Sequence, residues 1–348
     1  MTDENKKTPL YIFIFIGILS VFYAEVNSGS SPIWFINPWG ILVVFFLYWA
    51  HLLFYVNIAI RTNRVSLSQL YLLGCLIGLY EGPITKVLYN GYPNAETAPA
   101  IMFLGFAVLE FIMLVFFWHP IFSFLLPVII FELISVENLQ QYSIHSWLED
   151  SFFFTKPQLT KIIAIAIAVV GAVFLTVNSK FFFALLFFSG LGNLLLLFLF
   201  KKLVSQSEKN FGIQTLLLSN KWLKIVLVYL VFLYISMFFI IPSDPIPQIF
   251  PLILTGIIYL LILGLFLLSP IKLKIKSLTK PQLNYNRLIR NSWLIWFLLI
   301  LILPVIPGIT SVVLVIVYLF LLFFGLFIFL TRVIWIISLK LKGIKQLN

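Results

Sequence analysis

Apolar residues run in long blocks from residue 9 almost to the C-terminal lysines, separated by short polar loops. The blocks are 9–25, 38–60, 68–90, 100–118, 120–141, 161–178, 181–200, 223–241, 250–269, 292–308 and 310–337. Each approaches or exceeds the roughly 20 residues that cross a hydrocarbon core of about 30 Å. With no water in that core, each block must satisfy its own backbone, which makes it a helix. The alternating pattern of an outer-membrane barrel is absent. The pattern therefore predicts an all-α, polytopic integral membrane helix bundle of about 10–11 apolar segments. Met1–Thr8 and the run after it read as a signal anchor kept as the first helix, since no small-x-small cleavage site follows.

The polar breaks set the expected organisation. No repeat of 20–50 residues and no Pro- or Gly-rich linker divides the chain. The longest polar interruption of the first half is 142–160, YSIHSWLEDSFFFTKPQLT. It predicts a bundle over 1–150 that carries the acidic residues and a second over 151–348 with basic loops, with no soluble domain.

Lysine and arginine in short loops orient the chain. Loop 270–290 holds Lys272, Lys274, Lys276, Lys280, Arg287 and Arg290 with no acid, and 201–224 holds five lysines. Both are expected inside, with 242–248 outside and the C-terminal tail inside. The signals Lys6, Lys7, Arg61 and Arg64 also read as internal. Five apolar segments then separate Arg64 from Lys201, an odd number that cannot return the chain to one side. The segment expected to break the count is 68–90, read as discontinuous or re-entrant at Gly82-Pro83. The other candidate is 120–141, which contains Pro127, Glu132 and Glu137; the remaining alternative is that the rule itself is violated in the first half.

Composition sharpens this reading. Of 348 residues, 62% are hydrophobic and 10% charged, against about 25% charged in soluble domains. The net charge of +11 has no basic domain to hold nucleic acid. Residues 1–160 carry 6 Lys/Arg and 10 Asp/Glu, whereas 161–348 carry 17 and 2. One cysteine, Cys75, excludes an intrachain disulfide and a Cys-based metal centre. The sequence KLKIK at 272–276 sets orientation and attracts anionic lipid near Lys272, Lys274 and Lys276.

Candidate chemistry lies in charged groups at membrane depth. In GCLIGLYEGPITK (74–86), Gly74, Gly78 and Gly82 form overlapping small-xxx-small units that let helices approach closely. At about 100° per residue, Glu81 lies roughly 20° from that stripe, so it faces a neighbouring helix. Lys86 meets Glu81 only if the Gly-Pro break turns the chain, and otherwise reads as snorkelling to the interface. Glu110 is expected near the centre of its segment, facing protein because a charge there costs about 3 kcal/mol. A turn at His119-Pro120 would bring Glu110 and Glu132 to similar depth, where two carboxylates do not both ionise freely. His51 is central in its own segment and adds an imidazole suited to a proton relay. No metal-ligand or cofactor-binding spacing is present.

Glu81, Glu110, Glu132 and His51 are therefore the candidates for substrate or proton binding, with Glu25, Lys86 and Glu137 as secondary candidates. Trp34 and Trp39 read as interfacial anchors, and Asn37-Pro38 as a helix cap. The expected function is that of a secondary transporter or permease with a mid-membrane carboxylate site. The alternatives are an intramembrane enzyme acting on a lipid or lipid-linked substrate, with Glu25, Glu137 and His145 near an interface, or a non-catalytic membrane subunit or scaffold. The expected partner is the bilayer, and the expected location is the cell membrane with a cytoplasmic C-terminus.

Overall fold

The computed structural model describes residues 8–92, 98–136, 143–145, 156–206, 212–241, 247–271, 275–277 and 283–345. It is an all-α bundle. Among the described residues, eight helices are long and apolar enough to cross a membrane: α2 (Gly40–Arg61), α4 (Val108–Ile134), α5 (Pro157–Asn178), α6 (Phe183–Ser205), α7 (Asn220–Ile240), α8 (Ile249–Leu268), α9 (Tyr285–Val305) and α10 (Pro307–Leu339). Two shorter apolar helices are α1 (Leu10–Val26) and α3 (Leu67–Glu81). The outer faces are apolar: on α7, Val228, Phe232 and Phe239 all stand exposed. Patches of that kind need a hydrocarbon solvent.

Contacts group the chain into two compact units, each drawing on residues before and after position 150. Unit 1 comprises 1–57, 126–219 and 274–311; unit 2 comprises 58–125, 220–273 and 312–348.

In unit 1, α9 packs on α5 and α6, and α1 packs on α6. Trp293 Nε1 donates to Tyr23 Oη at 2.8 Å, and the Trp296 and Phe22 rings meet edge to face at 4.9 Å. Asn37 caps α2 through Trp39 N–H at 3.0 Å, with Pro38 at the first turn, as the sequence suggests. Trp34 departs from the expected interfacial anchor. Its indole is buried, stacked on Phe45 at 5.5 Å, and donates to Asn193 Oδ1 at 3.1 Å. An indole with a partner for its N–H is stable in a core.

In unit 2, α3 packs along α4 and against α8. Ser66 and Gln69 form a capping box at the start of α3. The glycine stripe makes the predicted close approach: a Cβ on Gly74 would lie 2.5 Å from Pro120 Cα, and one on Gly78 would lie 2.8 Å from Val115 Cα. Segment 68–90 is broken as expected. Its helix tightens to a 3-10 turn at Leu79–Glu81, stops at Gly82-Pro83, and resumes for one turn at Val87–Asn90.

The expected hairpin at His119-Pro120 does not form. The chain runs through it as one helix, with a wide π-helical stretch over Ile112–Leu125 that contains Pro120. Proline lacks the N–H that an α-helical turn would use, and the wider hydrogen-bond spacing accommodates it. Residues 100–107 do not belong to a span either. They form a tight strand pair in which Met102 faces Ala107, with Leu104 and Gly105 at positive φ.

Candidate functional site

The helix break in unit 2 assembles the main constellation. The 3-10 turn that ends α3 presents Glu81 toward α4, one helical turn beyond the Gly78 contact. His119 meets it there: Nε2 lies 2.9 Å from Glu81 Oε1, and both side chains are buried. Gly78 sets this distance, because its missing Cβ lets the two backbones come close enough for short side chains to touch.

Three further groups complete the pocket. Thr85, after the Gly-Pro break, hydrogen-bonds Glu81 Oε2 and donates to Glu81 O at 2.9 Å. Tyr80 hydrogen-bonds the carboxyl group, and its ring stands edge-on to the His119 ring at 5.0 Å. Ser123 Oγ donates to His119 O at 2.5 Å, fixing the turn that carries the imidazole. A carboxyl and an imidazole at hydrogen-bond distance share one proton: either Nε2–H donates to a carboxylate, or a protonated carboxyl donates to Nε2.

Lys86 takes a different partner from either expected one. It is 3% exposed and at φ 62°, a left-handed conformation that turns its side chain away from solvent. Its Nζ donates to Phe238 O at 2.7 Å and to Ile241 O, at the C-terminus of α7. The orphan carbonyls and negative dipole end of that helix account for a buried ammonium. The same ammonium lies 5.2 Å from the centre of the Phe238 ring.

Glu110 is placed at the first turn of α4, not mid-span, because the helix begins only at Val108. Carboxylates are favoured at a helix N-terminus by the dipole. Its Oε2 is buried and makes no hydrogen bond among the described residues.

The other candidates belong to unit 1 and have local partners. Glu132 hydrogen-bonds Ile213 N–H, and Asn57 clamps the same segment by donating to Leu216 O at 3.0 Å and accepting from Leu218 N–H at 2.8 Å. His51 Nδ1 lies 2.8 Å from Leu47 O, so that nitrogen carries the proton, and the ring stacks near Tyr55. Glu25 accepts from Tyr48 Oη at 2.5 Å, while its carbonyl takes Ser30 and Ser31 N–H. With no hairpin, Glu110 and Glu132 lie near opposite ends of one helix, which removes the premise of a shared depth.

Glu137, Lys272 and Lys274 lie outside the described residues. Lys276 pairs with Ile144 in a short strand ladder that also contains His145. Among the described residues, no three His, Cys, Asp or Glu side chains cluster as a metal site would require.

Sequence reasoning missed His119, Thr85 and Tyr80. The available signal was a histidine beside an apolar helix run, four residues after a position that faces Gly78.

No solved structure matches the chain. A protein of Archaeoglobus fulgidus described as "Uncharacterized protein" is 45% identical over 122 residues, 35% of this chain and 38% of that protein. The chain thus spans under two fifths of that relative's length. A family model described as "Uncharacterized membrane protein family" matches residues 14–344. The chain, an integral multi-pass membrane protein, belongs to that family.

Proposed function

We propose that the protein is a secondary transporter or permease whose unit 2 binds a proton, or a cationic substrate in its place, at Glu81 and His119. The observation that carries this reading is the buried pair at 2.9 Å beside a broken helix. Discontinuous helices with polar groups at the break are a recurrent way to build ion and substrate sites in transporters. Tyr80 and Thr85 supply donors that hold the carboxyl in either protonation state.

The same pair supports a second reading, an intramembrane enzyme on a lipid or lipid-linked substrate with Glu81 and His119 as base and acid. Current recordings from proteoliposomes on a solid support separate the two. The full chain is challenged with amino acids, organic cations and sugars across an inward proton gradient. One class is expected to give a current in wild type that Glu81→Gln abolishes at unchanged thermal stability. Turnover of a lipid-linked substrate without current selects the enzyme. Full current in Glu81→Gln overturns the site.

We further propose that the C-terminus is cytoplasmic, that the protein resides in the cell membrane, and that Lys272, Lys274 and Lys276 meet anionic lipid there. The merging of 100–118 and 120–141 into α4 supports this orientation. Four segments, counting α3 as a crossing, then separate Arg64 from Lys201, which satisfies the positive-inside rule. Reporter fusions at Gln206, Gln248 and Lys280 test it; Gln248 on the same side as the others contradicts it.

A further inference from the structure

An apolar groove opens on unit 2, and nothing in the proton site uses it. Its larger part, about 570 Å³, lies among Phe111, Phe116, the Ile258–Leu268 stretch of α8, and Phe329 and Val333 of α10. A second part of about 230 Å³ shares Phe111 and Ile258 with it and continues to Leu104 and Leu254. Along α8 the lining runs from Leu254 to Leu268, about 21 Å at 1.5 Å per residue. One leaflet of a hydrocarbon core is about 15 Å deep, so the groove is long enough to take a whole lipid chain. Its walls offer that chain only apolar side chains and the backbone of Gly264, where a Cβ would meet no atom within 4 Å.

Two arginines flank residues at one end of the groove without lining it. Beside Val333 stands Arg332, half-buried, with Nη1 donating to Ser68 Oγ at 3.2 Å. Beside Leu268, Arg64 donates to Leu267 O at 2.9 Å and Ser269 O at 3.3 Å, capping α8. Gln69, next to Ser68, holds Ser269 Oγ and Pro270 O, both at 2.8 Å, so these residues form one corner.

We propose that the groove binds one hydrocarbon chain of an anionic membrane lipid, with the lipid phosphate at Arg332 and Arg64 behind it. Length and lining select a hydrocarbon chain, and the guanidinium corner selects the negative headgroup. Arg332 spends one donor, on Ser68, whereas Arg64 spends three, on Leu267 O, Ser269 O and Thr62 O, so Arg332 is the more open of the two to a phosphate and discriminates between headgroups.

Native mass spectrometry of the full chain tests this, with phosphatidylglycerol and phosphatidylcholine of identical chains titrated in separately. Wild type is expected to retain phosphatidylglycerol about fivefold more strongly, the worth of one basic contact of about 1 kcal/mol. Arg332→Gln should lower retention of phosphatidylglycerol more than of phosphatidylcholine, whose choline already offsets the phosphate charge, and so bring the two lipids together. Gly264→Trp, which fills the groove without meeting protein, should lower retention of both. Equal retention of the two lipids by wild type overturns the headgroup assignment. Undiminished retention by Gly264→Trp overturns the groove. If Gly264→Trp fails to fold, competition by a free long-chain alcohol replaces it: displacement of the lipid supports the groove, and no displacement overturns it.

Discussion

His119 Nε2 lies 2.9 Å from Glu81 Oε1 beside a close approach of two apolar helices. That contact depends on Gly78, which also packs beside His119: a Cβ there would lie 3.4 Å from His119 Cβ. A Cβ on Gly78 would lie 2.8 Å from Val115 Cα and 2.9 Å from Leu114 O, both backbone atoms that cannot rotate away. Gly78→Leu should therefore force the helices apart, at a cost of about 1–3 kcal/mol or more, seen as a lower melting temperature and folded yield in detergent. Gly256→Ala is the matched control, because nothing lies within 4 Å of its Cβ position. It should leave stability unchanged or raise it by up to about 1 kcal/mol. Equal tolerance of both changes would refute the close contact.

Lys86→Met should destabilise unit 2. It removes the ammonium that holds Phe238 O and Ile241 O and leaves the end of α7 without its donor. Unsatisfied buried carbonyls cost about 1–3 kcal/mol. The measurement is a thermal melt of the purified variant; a melt that superimposes on wild type would show that those carbonyls find other donors.

Glu132 and Glu81 should behave differently under the same substitutions. Ile213 N–H needs only an acceptor, which an amide carbonyl supplies. Glu132→Gln should thus keep both stability and activity, whereas Glu132→Ala should lose about 1–3 kcal/mol by leaving that N–H unsatisfied. Loss of activity in a stable Glu132→Gln would move the functional site into unit 1.

The helical architecture was legible in the sequence because lipid leaves the backbone few options, and a run of about 20 apolar residues has essentially one solution. The glycine stripe was legible for the same reason: four-residue spacing on one face needs a neighbour. What misled was Pro120. Read by the rules of soluble helices, His119-Pro120 is a turn, but a π-helical stretch carries the chain straight through it. That single difference removed Glu110's expected approach to Glu132 and turned His119 from a loop residue into the partner of Glu81, while the strand pair before Val108 put Glu110 at a helix start. Trp34 shows a related limit. Its sequence neighbours describe a membrane interface, while its indole is held by Asn193, 159 residues away. Partners at that separation leave no local pattern.

The most direct measurement of the central claim is pH-dependent infrared difference spectroscopy of the full chain in lipid, comparing wild type, Glu81→Gln and His119→Gln. A proton-holding pair predicts a carboxylic-acid carbonyl band that appears as pH falls in wild type. It should vanish in Glu81→Gln and titrate at a different pH in His119→Gln, with all three proteins melting cooperatively. A band that persists unchanged in Glu81→Gln, or that titrates identically without His119, would contradict the assignment of the proton site to these two residues.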